Sequence, residues 1–284
     1  MNSGLFSPRS LAETDEIIKK QEGNVEFVAG ATDWTITQRN RTTPPPCCIN
    51  ILEIEEMQGI SLSENGAFLE IGAAEPLAKI AAHPLVRTHA FALAQACSVV
   101  GSAQIRSRAT LGGNLANASP AADTPIALAA LGAEVLKRCN GTELPIPILE
   151  TIAGISRSAL NPGELLVRFR IPIQKNRSAF AKIGSRKDVS IARLNMALSV
   201  DIDKDAIQSA RIFIGTLGIP VPAPEAERAL QKSGIYGDTA LYLDALTAVA
   251  EKSIPGRYSL PYKRVAIRGL GEDLIKALRE ENPS

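Results

Sequence analysis

Apolar positions in the first fifty residues change their period twice. Leu11, Ile17 and Ile18 form a stripe at helical spacing, opened by Ser10-Leu11-Ala12-Glu13. That tetrad is a capping box, in which the Ser10 hydroxyl takes a free N–H of the first turn and Glu13 reaches back. Gly23 follows as a stop signal. Val25-Glu26-Phe27-Val28-Ala29 is a short strand-like run ending abruptly at Gly30-Ala31-Thr32-Asp33. Pro44-Pro45-Pro46 then breaks the chain before a second apolar run, Cys48-Ile49-Asn50-Ile51. Helix, strand, glycine turn and strand predict a small α/β unit of about fifty residues. Ile60–Ser63 and Phe68–Gly72 alternate on either side of Gly66 and predict a hairpin. Helical spacing follows over Pro76–Ala82, His89–Cys97 and Thr124–Leu131, and two strands, Ala133–Lys137 and Leu165–Ile171, close this half.

Pro172–Ser178 is polar and proline-bearing, which suits a domain linker. Beyond it Ala179–Ile183, Ala192–Ile202 and Ile207–Ile214 predict an antiparallel meander, and Pro224–Lys232, Asp238–Lys252 and Tyr262–Glu280 predict helices. Strands first and helices after mark an α+β domain. Gly269-Leu270-Gly271 is read as a helix interruption, since too little chain follows to build a dinucleotide-binding βαβ unit. The expected division is residues 1–174, with subdomains of about 1–55 and 56–174, followed by residues 175–284.

A chain of 284 residues is long for one core and comfortable for two. With 45% apolar and 21% charged residues it has an ordinary globular composition. A net charge of +1 without a long basic run argues against nucleic acid or an anionic membrane surface as partner. An anionic ligand must therefore be held by local geometry. No apolar stretch approaches a membrane span of ~18–20 residues, and Met1–Pro8 lacks the apolar core of a signal peptide. Cys47, Cys48, Cys97 and Cys139 show no C-x-x-C, zinc or iron–sulfur spacing, so reduced thiols and a cytoplasmic location are expected. His83 and His89, the two histidines, lie in no catalytic motif, and no metal site is expected.

Two segments carry candidate chemistry. In Val28-Ala29-Gly30-Ala31-Thr32-Asp33, Gly30 permits a positive φ, so the following N–H groups can converge on an anion. Thr32 adds a hydroxyl, and Asp33 is expected to brace the loop by bonding backbone amides. Trp34 follows directly and is read first as a packing residue, then as a shield for the ligand. In Thr110-Leu111-Gly112-Gly113-Asn114 the paired glycines let backbone meet a diphosphate without Cβ interference, with Asn117, Ser119 and Asp123 downstream. Asp123 suits a ribose diol, because a carboxylate is a double acceptor. Arg106 and Arg108 are read first as surface salt-bridge formers, with a pyrophosphate as the other partner they suit. Two such loops about eighty residues apart favour one extended anionic ligand, such as a dinucleotide.

Gln104-Ile105-Arg106-Ser107-Arg108-Ala109-Thr110-Leu111-Gly112-Gly113-Asn114, continuing to Asp123, closely resembles the flavin signature of the FAD-binding subunit of molybdenum hydroxylases. That family includes xanthine dehydrogenase and carbon monoxide dehydrogenase. Ala29-Gly30-Ala31-Thr32-Asp33 resembles its other flavin loop, usually Ala-Gly-Gly-Thr-Asp, with Ala31 in place of the second glycine. Ser185-Arg186-Lys187-Asp188-Val189-Ser190-Ile191-Ala192 resembles the motif opening its C-terminal domain. The resemblance implies an α+β protein: a two-subdomain FAD-binding fold of the PCMH type, then a smaller α+β domain with a three-stranded antiparallel sheet and helices. It implies that Phe27 to Thr35 (Phe27, Val28, Ala29, Gly30, Ala31, Thr32, Asp33 and Trp34 among them) and Thr110, Gly112, Gly113 and Asn114 wrap the FAD pyrophosphate. Val100 and Gly101 match the approach to the flavin, Ser119 and Asp123 match diphosphate or ribose contacts, and Leu166 an adenine-side backbone contact. Lys182 matches the lysine near the isoalloxazine, where it would act in catalysis by stabilising negative charge.

A molybdopterin cofactor on a large subunit and [2Fe-2S] clusters on a small subunit are the implied partners, with NAD+ or another acceptor taking the electrons. Two other readings stay open: a flavin-free scaffold of the same fold, and a self-sufficient flavin oxidoreductase. Only Ala31 supports the first, and the want of a substrate acid, base or flavin-attaching histidine weighs against the second.

Overall fold

The computed structural model describes residues 4–43, 45, 47–203 and 206–280, so Met1 to Ser3 and, in the proline break, Pro44 and Pro46 lie outside the described residues. Strand β1 (Leu5–Phe6) precedes helix α1 (Leu11–Lys20). Ser10 is extended, at φ −139°, and its Oγ accepts from the Glu13 N–H at 3.2 Å. The Glu13 carboxylate reaches one residue further back than a capping box requires, accepting from the Arg9 N–H at 2.9 Å. Gly23, at φ +77°, turns the chain with its N–H on the Ile18 carbonyl. β2 (Val25–Val28), α2 (Trp34–Arg39) and β3 (Cys47–Asn50) complete the unit. Its sheet is parallel in the order β1-β3-β2, with Cys48 opposite Leu5 and Cys47 opposite Val25. Neither β1 nor α2 shows in the hydrophobic pattern, because β1 is two exposed residues and α2 buries none of its own.

β4 (Ile60–Leu62) and β5 (Phe68–Gly72) form the expected hairpin. Six short helices follow: α3 (Leu77–Ala82), α4 (Pro84–His89), α5 (Phe91–Ser98), α6 (Ala103–Arg106), α7 (Leu111–Ala116) and α8 (Thr124–Ala130). The chain returns through β6 (Glu134–Cys139), β7 (Thr142–Pro147), the small ribbon β8 (Ile152–Gly154) and β9 (Arg157–Ser158), and β10 (Leu165–Pro172). The five-stranded antiparallel sheet has the order β4-β5-β10-β6-β7, with β10 at its centre. β7 is an edge strand that carries Pro145 and Pro147, which break its run of donors and blunt the edge.

β11 (Asn176–Ile183), β12 (Leu194–Asp203) and β13 (Ala206–Ile214) form the expected antiparallel meander, and the two-residue β14 (Val221–Pro222) adds a fourth strand at its edge. α9 (Pro224–Ser233), α10 (Ala240–Ser253) and α11 (Leu260–Glu280) pack on it. Most of the polar Pro172–Ser178 stretch is strand, and only residues 173–175 connect β10 to β11. Nor does Gly269-Leu270-Gly271 interrupt a helix. α11 runs straight through, and a Cβ on Gly271 would stand 2.7 Å from Leu246 Cδ1, so the glycine is there for close packing on α10.

Two apolar clusters fill the molecule. One joins α1, the first two sheets and the short helices, with Ile49, Ile71, Leu93 and Phe169 among its buried members. The other lies between the third sheet and α9–α11, around Leu198, Tyr242 and Leu270. They meet at α5 and β11: Phe180 belongs to the first cluster, Gln95 Oε1 accepts from the Phe180 N–H at 2.8 Å, and Ser178 Oγ accepts from the Ala92 N–H at 3.2 Å. No disulfide joins the four cysteines, of which Cys139 is half-buried and the others buried. Among the described residues no helix is long and apolar enough to cross a membrane.

Candidate functional site

β2 delivers residues 29–33 against the start of α7. Gly30 does not take a positive φ, as the turn chemistry predicts; Ala31 does, at +59°. Gly30 is needed for another reason. A Cβ there would lie 1.8 Å from the Arg108 carbonyl oxygen, so the two segments touch backbone to backbone at this glycine. The N–H groups of Ala31, Thr32 and Asp33 have no protein acceptor among the described residues. Asp33 does not brace the loop through its side chain either. Its backbone is already helical (φ −96°, ψ −37°), not extended as an acceptor cap requires, and only its carbonyl is used, by Ile36 and Thr37. Trp34 is tied down through Nε1, which donates to Glu26 Oε1 at 2.8 Å, and the same carboxylate pairs with Arg41 at 2.6 Å.

The paired glycines sit in a helix and not in a loop. Thr110, extended at φ −105°, caps α7, and its Oγ1 accepts from the Gly113 N–H at 3.1 Å. Leu111 and Gly112 donate to the carbonyls of Glu75 (3.1 Å) and Ala73 (2.9 Å), so the first-turn donors of α7 are already satisfied. Glycine is a poor helix former, but these tertiary bonds hold the turn. Gly112 is fixed by packing, since a Cβ would stand 2.8 Å from Ala73 Cβ. A Cβ on Gly113 would stand 2.9 Å from Thr110 Oγ1, the oxygen that caps the helix, and 3.8 Å from Ala29 Cβ. Asn114 Oδ1 accepts from Thr124 Oγ1 at 2.7 Å, which turns its amide outward.

Both segments line one cavity of about 340 Å³. Phe27, Ala29, Gly30, Ala31, Thr32, Asp33 and Trp34 line it together with Thr110, Gly112, Gly113, Asn114 and Leu166. Val28 points into the core instead. Glu26, Leu160 and Glu164 also line the cavity, and nothing in their spacing announces them. Burial pushes the Glu164 carboxyl up, but Lys137 at 2.7 Å and the Asn161 N–H outweigh it and hold the group below its ordinary range.

A second cavity, of about 550 Å³, opens at the other end of the segment that leads into α7. Val99, Gly101 and Arg106 line it, with Lys182 to Gly184 and Arg186 to Ser190. Gly101 is left-handed, at φ +50°, and Arg106 Nη1 clamps this turn by donating to the Val100 (3.2 Å) and Gly101 (3.0 Å) carbonyls. Arg108 bonds the Gly30 carbonyl at 3.4 Å. Neither arginine is in an ion pair among the described residues, contrary to the surface salt bridges expected of them, because both guanidiniums fold back onto carbonyls of the site.

Lys182 makes a buried ion pair with Asp123, Nζ to Oδ2, at 2.6 Å, and also donates to the Val99 carbonyl at 3.2 Å. Asn195 Nδ2 donates to the other carboxylate oxygen at 2.7 Å. Asp123 is 3% exposed, so both acceptor oxygens already serve protein donors and neither faces the first cavity. Ser119 lines neither cavity, and its Oγ accepts from the Ala121 N–H at 3.4 Å.

Residues 1–174 match the model of the FAD binding domain in molybdopterin dehydrogenase. The chain belongs to this family. It is 29% identical over 283 residues to the nicotinate dehydrogenase FAD-subunit of Eubacterium barkeri, covering 95% of this chain and 94% of that one. A nicotinate hydroxylase of Emericella nidulans is 30% identical over 275 residues, 90% of this chain but 20% of that longer protein. In fold the chain is similar to a chain of carbon monoxide dehydrogenase from Hydrogenophaga pseudoflava, with a TM-score of 0.86, 22% identity and 98% of both chains covered. It is therefore an oxidoreductase subunit of the molybdenum hydroxylase family, and its cofactor is FAD. The structure fits that group: three residues whose N–H groups have no protein acceptor among the described residues line one cavity together with Gly113, and a continuous segment links it to a second.

Proposed function

We propose that this chain is the electron-transfer subunit of a molybdopterin-dependent hydroxylase or dehydrogenase. Electrons would arrive from [2Fe-2S] clusters on a small partner subunit, with molybdopterin on a large one, and leave to NAD+ or another acceptor. Residues 1–174 form the FAD-binding domain in this reading, and residues 175–284 close over its ring end. Cysteines without a disulfide agree with a cytoplasmic assembly.

The observation that carries the reading is the pairing of residues 29–33 with residues 110–114 across one cavity. The N–H groups of Ala31, Thr32 and Asp33 bind the pyrophosphate, an anion nest of backbone dipoles. Gly113 lets backbone approach it closely, and the outward amide of Asn114 adds a donor. The backbone at Leu166 takes the adenine side. Gly101 shapes the second cavity, where Lys182, held by Asp123, sets a positive charge on the wall; Val100 packs against the first core beside it and acts through its backbone, held by Arg106. FAD, when bound, supplies the redox chemistry, and the protein supplies binding, orientation and electrostatics. Ser119 and Asp123 act from behind the wall, through the turn that leads into α8.

An absorption spectrum of the purified chain, with identification of the chromophore released on denaturation, tests this. Flavin bands and about one FAD per chain are expected. A colourless chain that takes up no added FAD favours the scaffold reading. A yellow chain that turns over a substrate without partners favours a self-sufficient oxidoreductase.

A further inference from the structure

We infer that Asn195 is a positioning residue for the ring end of this site: it holds the Asp123 carboxylate as an anion, turned so that Lys182 stays fixed on the wall of the second cavity. The inference rests on the flavin reading of that cavity. Asn195 lies on β12, is fully buried, and belongs to neither flavin segment. Its Nδ2 donates to Asp123 Oδ1 at 2.7 Å and to the Ala122 carbonyl at 3.2 Å, where α8 begins. The amide orientation follows from those two acceptors, which only the NH2 group can satisfy. Its Oδ1 is buried without a partner. Leaving an acceptor dry is unfavourable, so the site of this side chain is set by what its donor end holds.

The surroundings are shaped for it. A Cβ on Gly215 would lie 2.0 Å from Asn195 Oδ1 and 2.1 Å from Ile126 Cδ1, so the glycine keeps this pocket open. Three elements present a named group to Asp123: Lys182 from β11, Asn195 from β12, and Cys97 from α5. Burial pushes the Cys97 thiol up, and the Asp123 charge adds to that. Burial also pushes the Asp123 carboxyl above its ordinary value, against the pull of Lys182 and Asn195. Without the Asn195 donor the anion keeps only Lys182. The carboxyl then takes a proton at a higher pH, and the Lys182 ammonium is left on the cavity wall without its counter-charge. A reduced flavin, which gains negative charge, is favoured by that change.

The experiment uses the full chain loaded with FAD, comparing wild type with Asn195→Ala and, as a second route to the same displacement, Gly215→Ala. Flavin midpoint potential is measured against pH, alongside FAD affinity and melting temperature. Both variants should keep FAD, and the step in the potential should move up by about one pH unit, the size of a lost hydrogen bond to a charge. At pH values between the two steps the potential should be more positive than in wild type. In an Asp123→Asn background, Asn195→Ala should add no further shift. Variants that bind FAD and keep the wild-type pH profile overturn the inference, whatever happens to their melting temperature. A wild-type chain that binds no FAD overturns the flavin reading itself, a separate result.

Discussion

Replacing Gly30 by alanine tests the junction of the two flavin segments directly. The added methyl would stand 1.8 Å from the Arg108 carbonyl oxygen and 2.5 Å from its carbon, both backbone atoms. Ordinary non-bonded contacts sit near roughly 3.5 Å, so the segments must part by about 1.5 Å. Overpacking of this kind costs about 1–3 kcal/mol of fold stability. Parting the segments also moves the N–H groups of Ala31, Thr32 and Asp33 away from the wall formed by α7. Losing one charge-assisted hydrogen bond to the pyrophosphate is worth about 1.5–3 kcal/mol, so FAD affinity should fall by roughly 10- to 100-fold. The assay is titration of FAD into the apo chain by flavin fluorescence, with melting temperatures of both apo proteins. Ala31→Gly is the matched control. Its left-handed φ of +59° costs an alanine about 1–2 kcal/mol, partly offset by the entropy of glycine, so this variant should melt higher and bind FAD at least as well. The reasoning is refuted if Gly30→Ala binds FAD within threefold of wild type and melts at the same temperature.

Gly113→Val should lose its flavin on purification, because the new side chain starts 2.9 Å from Thr110 Oγ1, disturbs the cap of α7 and projects into the first cavity; a variant that still carries one FAD per chain would show that the cavity is not the pyrophosphate site. Lys263 of α11 is buried on the Thr216 carbonyl and hydroxyl, and burial, with the Arg257 charge behind it, lowers its pKa from 10.5 to about 8. The folded chain thus releases this proton before the unfolded chain does, and between those pH values stability from this group rises with pH, by at most about 3 kcal/mol. Urea unfolding at pH 7.5 and at pH 10 should show that rise in wild type relative to Lys263→Met, and parallel profiles for the two proteins would remove it.

How far the sequence carries the fold depends on how much each element buries. α1, β5, β10, β12 and β13 have clear apolar faces, and their positions follow within a residue or two, while β11 begins three residues before the expected Ala179. β1, α2 and β7 bury little and are fixed by neighbours, so their own residues do not announce them. α7 is the instructive case. Thr-Leu-Gly-Gly-Asn has the composition of a turn, and it is helical because Glu75 and Ala73, far back in the chain, accept its first two N–H groups. Similarly, nothing local marks Gly271 as a packing glycine; only the leucines of α10 across from it do.

The candidate site shows the same division. Residue types at the two segments point to an anionic dinucleotide, and both do face one cavity. The roles within them do not follow from residue type. Gly30 is there for contact and Ala31 for the turn, the reverse of what glycine's freedom suggests. Arginines in the signature bond carbonyls, and Asp123 is turned away toward Lys182 and Asn195. Among the described residues no lysine or arginine lines the first cavity, while Glu26 and Glu164 on its wall are each paired with a cation behind it. An anion there meets unpartnered N–H dipoles and neutralised carboxylates. Asp33 is the exception, an acid on the cavity wall with no ion pair among the described residues. On the reading proposed above, a chain of net charge +1 holds a pyrophosphate without a basic patch, and its cations Lys182, Arg106, Arg186 and Lys187 line the second cavity instead, the cavity which that reading gives to the flavin ring.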